Sequence, residues 1–147
     1  MDSREQLPYA WPGQTVEVAK LDVGDYTGHH VLDRLRIERK TLADFLGCVG
    51  KGRGRFERML EAMTIYPQRF LLLEFTLEDL TRGDYRHTKV HPRSAVGSVF
   101  GWALKYGVQP LFVGDRNHGL ATVRKLVELS TKKALEEKKG ALADSTT

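Results

Sequence analysis

Two carboxylates and an ammonium group set close together can hold a divalent cation against a phosphate, and the segment from Gly24 to Asp44 supplies such a set. It contains Gly24-Asp25-Tyr26, then Glu38-Arg39-Lys40, then Asp44 about one helical turn further on. The chemistry these groups suit is phosphodiester hydrolysis. Asp25 and Glu38 would hold a hard cation such as Mg²⁺, with water and substrate phosphate completing its shell. Lys40 would offset the charge that builds on the transferring phosphate.

Strands must do the positioning. Side chains alternate along a strand, so Glu38 and Lys40 share one face and Arg39 takes the other. Leu35 and Ile37 alternate with Arg36 and Glu38, which predicts a half-buried strand with Arg36 and Glu38 on its polar face. An earlier alternating run, Val16 to Leu21, predicts a second strand, and Gly24 permits a sharp turn just ahead of Asp25. If the two strands are neighbours, Asp25 and Glu38 converge. The competing reading is surface ion pairing, because Glu-x-Lys alone occurs about once by chance in a chain of this size. Glu136-Glu137-Lys138-Lys139 carries that pattern twice in a charged helical stretch that reads as a solvated face.

The residues also match a longer signature. Gly24-Asp25, a gap, and Glu38-Arg39-Lys40-Thr41-Leu42-Ala43-Asp44 reproduce Gly-Asp, gap, Glu-Arg-Lys-x-x-x-Asp without a substitution. In this the chain resembles the nuclease domain of the XPF-type structure-specific DNA endonucleases, a branch of the PD-(D/E)XK nuclease group. Asp2-Ser3-Arg4-Glu5 is similar to the acidic element that opens that domain, and Gly54-Arg55-Phe56 to the glycine-arginine element after the signature. The run Phe70-Leu71-Leu72-Leu73-Glu74 is similar to one of its strands, so the resemblance extends from Asp2 to about Val127. Only Met1 stands ahead of Asp2, where the family has a buried strand, which implies a shortened first strand or a late start to the chain.

Position by position, the resemblance implies that Asp25 and Glu38 bind Mg²⁺ or Mn²⁺ and that Lys40 is the catalytic lysine. Arg39 and Asp44 fall on further motif positions, and Asp2 and Glu5 become secondary site residues. By strand parity Arg39 faces away from the metal, as a supporting or DNA-contacting residue. Asp44 would orient Arg39 or Lys40, or favour the start of its helix. The implied function is a metal-dependent endonuclease acting on branched or single-strand/double-strand junction DNA such as flaps and forks. Two alternatives stand beside it: a non-catalytic DNA-binding scaffold or dimer partner, and a resolvase or restriction-like nuclease of the same fold. Family members usually append helix-hairpin-helix modules, and none follows here. The resemblance therefore implies DNA binding through the domain's own basic loops, a homodimer or a separate DNA-binding partner, with weak and salt-sensitive affinity.

The remaining sequence predicts one α/β domain of restriction-endonuclease-like type, a central mixed sheet flanked by helices, over residues 1–139 with a flexible tail at 140–147. Short helices are expected at Thr41 to Val49 and from Thr76, and longer ones from Pro92 to Gly107 and from about His118 to Lys139. Phe56, Met59, Leu60 and Met63 recur at helical spacing, and Phe70 to Phe75 is apolar enough for a central strand. Pro110 suggests that the strand Val108 to Val113 lies at an edge or carries a bulge. Gly50 to Arg55 reads as a flexible basic loop whose Lys51, Arg53 and Arg55 contact DNA. A second basic cluster, Arg82, Arg86, His87, Lys89, His91 and Arg93, reads as a solvated or phosphate-contacting loop rather than a zinc site. The net charge of +4 suits a polyanionic partner without requiring one. A single cysteine, Cys48, excludes an internal disulfide. With no signal-like N-terminus and no apolar run of about 18 residues, the chain reads as intracellular.

Overall fold

The sheet is built on three short parallel strands whose apolar residues point to both sides. In the computed structural model, which describes residues 16–17, 24–86 and 88–145, these are β3 (Leu35–Lys40), β4 (Gln68–Leu73) and β5 (Gln109–Phe112), in spatial order β3-β4-β5. Their parallel register pairs Ile37 with Phe70 and Lys40 with Leu73, then Leu71 with Pro110. Pro110 thus lies on an edge strand, where its missing N–H disrupts no second ladder. Two short strands precede them, β1 (Val16–Glu17) and β2 (Thr27–Gly28), paired antiparallel. The expected continuation of β1 through Leu21 lies outside the described residues, as do Asp2, Glu5 and His87.

Helices close both faces of the sheet. On one side α1 (Leu42–Val49), α2 (Arg53–Met63), α3 (Leu77–Arg82) and α4 (Pro92–Tyr106) pack Phe45, Phe56, Leu60, Leu80 and Trp102 against Leu71 and Leu73. On the other, α5 (Arg116–Ser145) brings Val123 and Val127 onto Tyr26, Leu35, Ile37 and Leu72. Alternation along β4 divides Leu71 and Leu73 from Leu72 between the two cores, and β3 turns Leu35 and Ile37 to the α5 side, as strand geometry requires. Crossovers by helices are what parallel strands need, so the arrangement is the expected α/β fold.

Three local expectations are corrected. β3 is not half-exposed: Arg36 is only 5% exposed, its guanidinium 4.0 Å from the centre of the Tyr66 ring and bonded to the carbonyl oxygens of Leu32 and Leu35 and to the Tyr66 hydroxyl. The loop predicted through Arg55 ends at Gly52, because α2 begins at Arg53 and takes in both Arg53 and Arg55. At the other end α5 continues to Ser145, so residues 140–145 extend the helix rather than form a tail. None of the described helices is long and apolar enough to cross a membrane.

Candidate active site

Gly24 sets the geometry. Its φ of +78° lies in the left-handed region, and a Cβ there would sit 3.3 Å from the Arg36 side chain, so a larger residue would be strained and crowded. The turn lays the chain antiparallel along the free edge of β3. Tyr26 bridges Ile37: its N–H donates to the Ile37 carbonyl at 3.0 Å, and the Ile37 N–H returns the bond at 3.0 Å. One step further along, Asp25 therefore comes opposite Glu38. Tyr26 is fully buried in the core beneath α5, which anchors this juxtaposition.

The carboxyls of Asp25 and Glu38 lie within hydrogen-bond reach of each other. Asp25 is also fixed from behind, its Oδ2 accepting the Arg39 backbone N–H at 2.9 Å. Lys40 reaches the same point from the face it shares with Glu38, its Nζ 3.2 Å from Glu38 Oε2 and 5.5 Å from the centre of the Phe56 ring. The structure thus brings Asp25, Glu38 and Lys40 into one cluster. Asp44 is not in it. It sits exposed in the first turn of α1, its backbone N–H donating to the capping Thr41 hydroxyl.

Arg39 points to the opposite side of the sheet, as parity requires, and finds a partner the sequence reading passed over. Its guanidinium makes a two-pronged pair with Glu74, Nε to Oε2 at 2.8 Å and Nη2 to Oε1 at 2.9 Å. Both side chains are largely buried, at 14% and 6% exposure. Glu74 follows β4 directly, and its backbone N–H donates to the Lys40 carbonyl at 2.9 Å. The pair therefore ties the end of the motif-bearing strand to its neighbour. A signal was present: an acidic residue closing an apolar run is where a buried partner for a motif cation should be sought.

Burial and proximity together set the electrostatics of the cluster. Burial first, and the neighbouring Asp25 charge second, push the Glu38 carboxyl up to about 8. Asp25 is raised too, chiefly by burial, against the opposing effects of the Arg39 N–H and Lys40. Burial works against the Lys40 charge, yet neighbouring Glu38, helped by Asp25, outweighs it and holds the ammonium above its ordinary range. Lys40 is thus a cation at neutral pH and not a base. Half-buried Cys48, raised mainly by burial, remains a thiol. Two hard oxygen ligands disfavoured as neighbouring anions fit a divalent cation, whose charge relieves both burial and mutual repulsion. Among the described residues no cluster of three acidic, histidine or cysteine ligands occurs, so water and substrate would complete the shell.

A pH dependence follows. Glu38 titrates near 8 in the folded chain against an ordinary 4.5 when unfolded. Between those values the folded state holds more protons, so stability falls as pH rises through the window. Without divalent cation, the melting temperature is expected to fall from pH 5 to pH 8 (about the two ends of that window), and Mg²⁺ is expected to restore much of the loss at the upper end. Thermal melts in EDTA and in Mg²⁺ check this; a flat, cation-independent profile would contradict the seat.

The basic residues expected to contact DNA separate into two groups. Lys51 and Arg55 are exposed. Arg53 is exposed too, and it also links helices: Nη1 donates to the Ser98 hydroxyl at 2.9 Å, and the guanidinium lies 4.9 Å from the centre of the buried Trp102 ring.

The comparisons with known proteins bear on this arrangement. The family model of the ERCC4 domain matches residues 1–126, which include the whole cluster. The chain belongs to the ERCC4 domain family. Among solved structures it is similar to XPF from Aeropyrum pernix, at 23% identity and a TM-score of 0.63, over 82% of this chain and 56% of that one. It is also similar to XPF from Aeropyrum pernix in complex with DNA, at 27% identity and a TM-score of 0.60, over 78% of this chain and 52% of that one. This ERCC4 domain chain thus has the XPF nuclease fold and spans about half the length of those structures. No curated protein matches it.

Proposed function

We propose that this ERCC4 domain chain is a Mg²⁺- or Mn²⁺-dependent DNA endonuclease that hydrolyses phosphodiester bonds at branched or single-strand/double-strand junctions. The observation that carries the reading is the convergence of Asp25 and Glu38, both disfavoured as anions, beside the Lys40 ammonium. Asp25 and Glu38 would hold the divalent cation, which when bound would supply polarisation of the scissile phosphate and activation of the attacking water. Lys40 offsets negative charge on the transferring phosphate, in a partly buried setting where that charge counts for more than in water. Arg39 acts as a positioning residue: its backbone N–H holds Asp25, and its side chain, through Glu74, fixes the strand end that carries Glu38 and Lys40.

The same reading includes pairing of two chains. Phe100 and Leu104 are exposed on α4, on the side where Cβ atoms added at Gly97 and Gly101 would meet nothing within 4 Å. A homodimer through this face would bring a second set of basic surfaces to a branched substrate. The matched XPF structure with DNA supports nucleic acid as the partner.

The test is cleavage of linear duplex, flap, fork and four-way junction DNA with and without Mg²⁺. Cation-dependent cutting of flaps and forks well above linear duplex is expected. No cutting of any substrate would overturn the reading, and preference for the four-way junction would move it to a resolvase.

A further inference from the structure

An open groove runs along α1, the helix that follows the Glu38–Lys40 end of β3. Its floor is small or apolar, formed by Ala43, Leu46 and Gly47 from the helix and Val90 from the segment between α3 and α4. Gly47 keeps it open, since a Cβ there would meet nothing within 4 Å. At the far end Gly50 closes on Val90, whose side chain would lie 3.6 Å from an added Cβ. Three exposed cations line the groove, Lys51 from the turn after α1 and Arg86 and Lys89 from the facing segment. Among the described residues none of the three is in a salt bridge, and no carboxylate lines the groove.

We propose that this groove seats a single strand of nucleic acid leading away from the Asp25–Glu38 cluster. The inference rests on the nuclease reading above and adds to it which strand of the substrate is held and where. Charge complementarity selects a polyanion, because three unpaired cations facing one channel repel one another until phosphates lie between them. The apolar floor then selects the form of that polyanion. A duplex turns phosphates and sugars outward and has no use for the floor, whereas a single strand exposes base and sugar surface that can be buried there. Position agrees with this. α1 follows the end of β3 directly, so Ala43 at the head of the groove is three residues beyond Lys40. A strand leaving Lys40 would cross about two turns of helix to reach Lys51.

The experiment measures binding of a labelled oligothymidylate by fluorescence anisotropy in EDTA across a salt series. It compares the wild-type chain, the triple variant Lys51→Ala/Arg86→Ala/Lys89→Ala, and Gly47→Glu, which places a carboxylate in the floor without a clash. Losing three phosphate contacts to a single strand should reduce the slope of log affinity against log salt by about 2, and weaken binding about 100-fold near ~0.1 M salt. Gly47→Glu should weaken binding as well, and blunt duplex should change much less in both variants. The proposal is overturned if both variants bind the oligonucleotide as the wild type does, if duplex loses as much as single strand, or if only the oligomeric state changes. Loss of the nuclease reading would be seen separately, as failure of the wild-type chain to cut forks in Mg²⁺ while these binding differences stand.

Discussion

Glu38→Gln is expected to reduce Mg²⁺-dependent cleavage by about 10³-fold, the scale seen when a preorganised electrostatic group is removed from a reacting centre. Gln has nearly the shape of Glu, so the packing of β3 survives, but a neutral amide is a poor ligand for a hard cation. Asp25→Asn should act alike. Lys40→Met should also lose activity, through charge at the phosphate rather than through cation binding. The distinguishing sign is stability. Ionising Glu38 above about pH 8 places an anion beside Asp25 in a buried niche, and the glutamine variant avoids this. In EDTA above that pH, Glu38→Gln should melt at a higher temperature than wild type while being far less active. A variant inactive because it is unfolded cannot show that combination, and a variant that cuts within a few-fold of wild type would remove Glu38 from the site.

The second large effect is expected at Glu74. Truncation to Ala leaves the Arg39 guanidinium buried without its two-pronged partner, a change that costs about 3–5 kcal/mol. For a domain of this size that corresponds to a fall in melting temperature of about 10 °C. Replacing both partners, Arg39→Met with Glu74→Leu, should recover much of the stability, because an apolar pair of similar volume needs no desolvation of charge. Activity should not return with it, since the double variant loses the constraint on the strand end that positions Glu38 and Lys40. Arg39→Lys should rescue poorly, because an ammonium cannot reproduce the planar fork. Full activity in the double variant would reduce the pair to a structural role.

How far the sequence could be read depends on how local each cause is. β3, α1 and the meeting of Asp25 with Glu38 were legible because a turn glycine, a strand period and a capping threonine all act within a few residues. The Arg39–Glu74 pair was not, because it depends on the parallel register of β3 with β4, which strand period alone does not fix. Arg36 was misplaced for a related reason: the Tyr66 ring that covers its guanidinium comes from the far side of α2. Arg53 reads as a loop residue because alternating glycines suggest a flexible connector. What draws it into a helix is tertiary, the contact with Ser98 and Trp102 of α4. Of the two roles open to Asp44, the structure shows the local one, an exposed acidic residue in the first turn of its helix.

Counting the ions held by the cluster tests the central claim most directly. Titration of wild type, Asp25→Asn and Glu38→Gln with Mn²⁺, followed by the paramagnetic signal of the free ion and by proton release in weak buffer near neutral pH, reads both occupancy and ionisation. The account predicts specific uptake by the wild-type chain accompanied by proton release, with both uptake and release lost in each single variant. Equal Mn²⁺ binding by all three chains, or binding that releases no proton, would contradict it.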